Sequence, residues 1–104
     1  MVHGDLHSRN IVIDAQHRVS GVIDWGDVHI GDPAIDLSLV YSFLPSCARA
    51  EFFSVYGDVS ERTKALARWK AAFTTVALFV YGLDQQNEEI IAGCRESLDL
   101  ILED

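Results

Sequence analysis

In the run His3-Gly4-Asp5-Leu6-His7-Ser8-Arg9-Asn10 a carboxylate, Asp5, stands five residues ahead of an amide, Asn10, and a second carboxylate, Asp24, closes an apolar run at Ile23-Asp24-Trp25. Two carboxylates and an amide in this order suit phosphoryl transfer. One carboxylate orients an attacking hydroxyl and takes its proton, while the amide oxygen and the second carboxylate hold magnesium against nucleotide phosphates. Each residue also has a plainer explanation. Asp5 in a loop can satisfy nearby backbone N–H groups, and Asn10 and Asp24 can mark a turn and a strand end. The three together, at this spacing, favour the chemical reading over the plain one.

The segment between the two groups explains how they meet. Ile11-Val12-Ile13 and residues 19–23 are β-rich and flank the polar stretch 14–18, which predicts a short hairpin. A strand pair returns the chain to its starting point, so Asn10 entering one strand and Asp24 leaving the other become neighbours, as a shared metal requires. Asp32-Pro33 then predicts a helix start, because aspartate accepts backbone hydrogen bonds as a cap and proline is tolerated in the first turn. That helix is expected to reach about Phe43 with Ile35, Leu39, Val40 and Phe43 on its apolar face. Pro45 interrupts it, and Phe52, Phe53, Val55 and Tyr56 predict a second short helix before Gly57. Residues 60–81 read as a long helix with Leu66, Trp69, Phe73, Val76, Ala77 and Val80 at three- and four-residue steps. Its aromatic stripe, Trp69 and Phe73, reads as core, and Gly82 is expected to end it. Ile90, Ile91, Cys94, Leu98, Ile101 and Leu102 define a last amphipathic helix. The expected fold class is α+β, mostly α. Residues 1–31 carry the loops and hairpin, residues 32–104 the helices, and no linker or repeat divides the chain.

The order and spacing of these groups, HxDxxxxN followed fourteen residues later by an aspartate, resemble the catalytic and metal-binding segments of the aminoglycoside phosphotransferase family, small-molecule kinases related to protein kinases. The resemblance continues through Gly31-Asp32-Pro33-Ala34-Ile35-Asp36-Leu37, which is similar to the family's GDPxxDL element. It implies part of the C-terminal lobe of a protein-kinase-like fold, with catalytic loop, short hairpin and about four helices. It also implies transfer of the γ-phosphate of ATP or GTP to a hydroxyl of a small molecule, an aminoglycoside or macrolide antibiotic or a metabolite. Carried over by position, Asp5 is the catalytic base, Asn10 and Asp24 hold Mg2+ and through it the nucleotide phosphates, His3 buttresses the catalytic loop, and Asp36 bonds that loop's backbone. Ser8 stands where the family usually has proline, a departure that removes no reactive group.

The larger departure lies upstream. Met1 is two residues before His3, so the family's small lobe, with its phosphate lid and lysine, is expected to be missing. No G-x-G-x-x-G occurs, and the glycine pair at P-loop spacing, Gly21 and Gly26, is followed by Asp27 rather than lysine. Lys64 and Lys70 lie in a helical pattern far from the motifs. The 104 residues alone are therefore expected to turn over little.

A chain of 104 residues buries roughly two-thirds of its unfolded surface on folding, enough for one modest domain. Its 49% hydrophobic and 23% charged residues argue against disorder. A net charge of −8 argues against a nucleic-acid or anionic-membrane partner and suits a cationic substrate better, although solubility alone explains most acidic surfaces. Cys47 and Cys94 match no zinc or CxxC spacing and read as reduced, packed thiols. With no leader pattern and no apolar stretch of membrane length, the expected location is cytoplasmic.

Two other readings compete. His3, Asp5 and His7 alternate, so an extended segment would project them together as ligands for a zinc-type metal that activates water. His17 and His29 add no ligand spacing to that set. The other reading is a non-catalytic helical unit that binds a partner or a second copy of itself. Without the helices that precede the catalytic loop in the family, apolar surface on the 60–81 helix would be uncovered and promote association. Asp27 and His29, in the loop after Asp24, read as solvated residues first and substrate contacts second.

Overall fold

Asp14 folds the start of the chain back on itself. Its carboxylate accepts hydrogen bonds from the Gln16 and Arg18 backbone N–H groups at 2.9 and 3.0 Å, and His17 takes a left-handed φ of 61° to complete the turn. Around that turn, β1 (Ile11–Ile13) and β2 (Val19–Val22) pair antiparallel, with Ile11 opposite Val22 and Val12 opposite Gly21. An irregularity between Val12 and Ile13 places Ile13 opposite Val19. The structure is a computed structural model and describes residues 1–103; the last residue of the expected 32–104 segment, Asp104, lies outside the described residues.

Four helices follow among the described residues: α1 (Ala34–Phe43), α2 (Ser46–Tyr56), α3 (Glu61–Asp84) and α4 (Glu88–Leu102). With the two-stranded sheet they make an α+β, mostly helical fold. Starts are set by side-chain caps where the sequence provides them. Asp32 Oδ1 accepts from Ala34 N at 2.9 Å, Ser60 Oγ from Thr63 N at 3.1 Å, and Asn87 Oδ1 from Ile90 N at 3.2 Å. Helix α2 begins directly after Pro45, at Ser46, well before its first aromatic residue, Phe52.

The buried face of α1 is Ala34, Leu37, Val40 and Tyr41; of the expected Ile35, Leu39, Val40 and Phe43 it keeps Val40, while Ile35 and Leu39 are half-buried and Phe43 is exposed. These residues pack on Ala67 and Ala71 of α3 and Ile101 of α4. Each large apolar side chain so buried contributes about 1.5–3 kcal/mol. Small residues line the inner face of α3, at Ala67, Ala71, Thr75 and Gly82, and let the neighbouring helices approach closely. Gly82 therefore does not end the helix, which runs one further half-turn to Asp84; a Cβ at Gly82 would lie 2.8 Å from Ile90 Cγ2. The large residues point the other way. Trp69 is 63% exposed and Phe73 59%, their rings stacked 5.3 Å apart, so the expected aromatic core stripe is a surface stripe here. Cys94 is buried, which pushes its thiol pKa up, whereas Cys47 is exposed rather than packed.

The C-terminal end of α4 is held by two arginines. Arg49 donates to the carbonyls of Leu100 and Glu103, and Arg68 to those of Ile101 and Glu103, while both guanidinium groups lie over the Tyr41 ring. The Glu103 carboxylate in turn accepts from the Ser46 N–H at 3.1 Å and hydroxyl at 3.0 Å, capping α2 from across the fold. These bonds hold the Glu103 carboxyl below its usual pKa, its hydrogen bond to the Ser46 backbone being the larger cause. A depressed carboxyl pKa stabilises the fold above the unfolded value of about 4.3 and loses that contribution as pH falls through the folded value. The melting-temperature difference between the unsubstituted chain and Glu103→Gln is accordingly expected to be constant well above the unfolded carboxyl value and to shrink as pH falls below it in a pH series of thermal melts.

Candidate active site

The segment His3-Gly4-Asp5 is suspended from α1. Asp36, in the first turn of that helix, accepts from the backbone N–H of His3 at 2.6 Å and of Gly4 at 3.0 Å, one oxygen to each. Charge-assisted bonds of this length are stronger than neutral ones and fix both loop residues against the helix. Gly4 is required by the same arrangement: its φ is +94°, and a Cβ there would lie 2.4 Å from the carbonyl oxygen of Asp27.

His3 is buried and braces the loop against the hairpin. Its Nδ1 accepts from Asp5 N at 3.2 Å, so the ring hydrogen is on Nε2, which donates to the Ile23 carbonyl at 2.9 Å. Trp25 packs on the His3 ring, with centroids 4.6 Å apart, and donates from Nε1 to the Val22 carbonyl at 2.9 Å. Its other side stays half-exposed. One imidazole thus ties the residue before Asp24 to the residue that carries the first carboxylate. Asp24 is exposed and sits at φ 62°, a left-handed conformation that aspartate tolerates better than most residues and that turns the chain sharply out of β2.

Asn10 is buried at the end of the short 3-10 turn Ser8–Asn10. Its Nδ2 donates to the Asp5 carbonyl at 2.8 Å and lies 3.2 Å from His7 Nε2, and its own carbonyl accepts from Ile23 N at 2.8 Å. The hairpin therefore brings Asn10 beside Ile23 and one residue from Asp24, as its pattern predicts. The Asp5 side chain is 48% exposed, with Oδ2 3.8 Å from His7 Nε2. Asp27 and His29 are exposed, the His29 ring nitrogen Nδ1 lying 2.7 Å from the Asp27 carbonyl. His29 also pairs with Val2 through two backbone bonds of 2.7 and 3.1 Å, which closes the Asp24 loop onto the start of the chain.

Hard oxygen donors from an amide and a carboxylate suit magnesium, so the chemistry of Asn10 and Asp24 fits that ion. The alternative zinc set does not assemble. Both His3 ring nitrogens are engaged inside the protein, and no group of three His, Cys, Asp or Glu side chains converges among the described residues. Two features escaped the sequence reading, the backbone of Gly4 and the contact of His7 with Asn10. Gly4 was legible in principle, since a glycine directly before Asp5 marks an unusual backbone; the contact of His7 with Asn10 depends on the 3-10 turn, which has no apolar period to announce it.

The phosphotransferase enzyme family model, APH, matches residues 1–72, the span that contains the whole site, α1, α2 and the first half of α3. The chain belongs to this family. An uncharacterized protein of Bacillus subtilis (strain 168), YcbJ, is 31% identical over 103 residues, covering 94% of the chain and 33% of YcbJ. Viomycin phosphotransferase of Streptomyces vinaceus is 49% identical over 43 residues, covering 38% of the chain and 15% of that enzyme. The chain thus spans a third or less of the length of these relatives. No solved structure matches it. Among the described residues, no helix of this phosphotransferase family member is long and apolar enough to cross a membrane.

Proposed function

We propose that these residues form the catalytic and metal-binding half of a small-molecule kinase that moves the γ-phosphate of ATP or GTP to a substrate hydroxyl. The observation that carries the reading is the adjacency of the three segments: Asn10 bonds the Asp5 carbonyl through its side chain and the Ile23 N–H, next to Asp24, through its backbone, while His3 and Asp36 hold the loop in place. Asp5, half-exposed and anchored through its backbone, takes the hydroxyl proton as the substrate oxygen bonds to phosphorus and the bond to the leaving nucleoside diphosphate breaks. Asn10 Oδ1 and the Asp24 carboxylate would hold Mg2+, which when bound would neutralise charge on the phosphate oxygens. The protein-kinase-like lobe, a cytoplasmic location and a cationic substrate, drawn by the exposed Asp5, Asp24 and Asp27, belong to the same proposal. A relative with a named activity, the viomycin phosphotransferase of Streptomyces vinaceus, is a phosphotransferase. Transfer of label from γ-labelled ATP or GTP to a panel of hydroxyl-bearing antibiotics tests the reading. A protein containing these residues and a nucleotide-binding lobe should label one class of substrate; hydrolysis or no turnover with every acceptor counts against it. The 104 residues alone carry no G-x-G-x-x-G, and their lysines, Lys64 and Lys70, stand on α3, so they should label none.

A specific observation favours self-association of the isolated chain. Leu66, Trp69, Phe73, Val76 and Val80 form a continuous exposed stripe on α3, and Ile35 joins Leu66, Trp69 and Phe73 around an open apolar depression. Patches of this kind are covered in stable proteins. We expect two copies of the chain to cover it for each other, and Trp69→Glu to weaken the dimer at least about 10-fold in sedimentation equilibrium. A monodisperse monomer of the unsubstituted chain at all concentrations would remove this reading.

A further inference from the structure

The imidazole of His7 is asked for two hydrogen bonds that it cannot make at once. The Arg9 backbone N–H points at its Nδ1 from 3.2 Å, and the Asn10 amide nitrogen at its Nε2 from 3.2 Å. A neutral imidazole has one acceptor nitrogen, so one donor must go elsewhere. Exposure decides between them. The Arg9 contact is exposed, and water replaces it at little cost. Asn10 is only 5% exposed, and an amide hydrogen stranded there carries the desolvation penalty of an unpaired buried donor. Nε2 is therefore the acceptor, and Nδ1–H faces outward.

We propose that His7 is a positioning residue that orients the Asn10 amide, its Nε2 accepting one amide hydrogen while the Asp5 carbonyl accepts the other. With both hydrogens held, the amide plane is fixed and Oδ1, the atom a cation needs, is turned to neither contact. A single bond to the Asp5 carbonyl at 2.8 Å would leave the amide free to swing about it. At 3.8 Å, Asp5 Oδ2 is beyond hydrogen-bond reach of the same nitrogen, so His7 steadies the metal-binding amide without occupying the carboxylate that takes the substrate proton. The inference rests on the proposed role of Asn10 as a metal ligand and adds the residue that sets its orientation.

Glutamine and asparagine separate this role from mere bulk, because a glutamine amide oxygen reaches the place of Nε2 and an asparagine oxygen only that of Nδ1. The test uses the 15N-labelled 104-residue chain, with folding followed by circular dichroism, and two readouts. The first needs no metal: the two Asn10 side-chain amide protons should be well separated in the unsubstituted chain, move together in His7→Ala and His7→Asn, and separate again in His7→Gln. The second is Mn2+ affinity by electron paramagnetic resonance. Asn10→Ala and Asp24→Ala should abolish site binding, His7→Ala and His7→Asn should weaken it about 10-fold, and His7→Gln should restore most of it. If Asn10→Ala and Asp24→Ala leave Mn2+ binding unchanged, or the unsubstituted chain binds none, the metal-site reading fails and takes this inference with it. If they abolish binding while His7→Ala does not weaken it, or Gln rescues no better than Asn, the role of His7 alone is overturned.

Discussion

Replacing Asp5 with alanine should lower phosphoryl transfer by about 100- to 10,000-fold, the range over which a positioned general base acts, and leave nucleotide affinity almost unchanged. The reason lies in how the two carboxylates are held. Asp5 is fixed through its backbone: its N–H donates to His3 Nδ1 and its carbonyl accepts from Asn10, so an alanine keeps both bonds and loses only the carboxylate. Asp24, two residues beyond β2, would act through its side chain alone, and in the proposed site its removal takes away one of two oxygen donors to the metal. Asp24→Ala should therefore weaken magnesium-nucleotide binding as well as turnover. Initial rates with γ-labelled nucleotide, set beside equilibrium binding of Mg-nucleotide to each variant, read the split in a protein that carries these residues with a nucleotide-binding lobe. Equal loss of nucleotide affinity in the two variants would overturn the division of labour. Asp24→Gly sharpens the comparison, because glycine accepts a φ of 62° without strain while lacking the carboxylate.

The family was legible because its motifs are written in residue types that have few other uses together. The hairpin was equally legible, from β-rich runs around a polar turn, and its closure at Asn10 and Ile23 is a consequence of strand pairing rather than of any side chain. Helix existence followed from the Asp32-Pro33 start and the Pro45 break for the first two helices and from apolar periodicity for the last two; the caps Ser60 and Asn87 emerge only in the structure. What the pattern misjudged was which side of a helix faces in. On α3 two stripes compete, large residues at Leu66, Trp69 and Phe73 and small ones at Ala67, Ala71 and Thr75, and a period counts size as evidence of burial. The small stripe is inside because α1 and α4 approach where side chains are short. The large stripe is left for something the described residues do not supply. Gly82 misled for the same reason, since a glycine admits a neighbouring helix as readily as it ends its own.

Asp36→Ala should have the largest effect on the structure of the site. It strips the acceptor from two backbone donors, His3 N at 2.6 Å and Gly4 N at 3.0 Å, and bonds to a charged acceptor are worth about 1.5–3 kcal/mol each. Against a total folding stability of about 5–15 kcal/mol for a domain, the loss of both is large. It should nevertheless stay local. Asp36 is only half-buried, on the flank of the face of α1 that carries Leu37, Val40 and Tyr41, and those side chains pack on α3 and α4 independently of the loop. Hydrogen exchange should therefore accelerate sharply at the amides of His3, Gly4 and Asp5 while protection along α3 and α4 is nearly kept. Gly4→Ala approaches the same loop from its other side, because a Cβ 2.4 Å from the Asp27 carbonyl must displace the Asp24 loop while the Asp36 carboxylate stays in place. If both variants loosen the same three amides, the loop is a clamp with two jaws, one a helix carboxylate and the other the backbone that follows Asp24. If Asp36→Ala instead melts α3 and α4 together with the loop, Asp36 belongs to the core of the fold, and its value to the site is secondary.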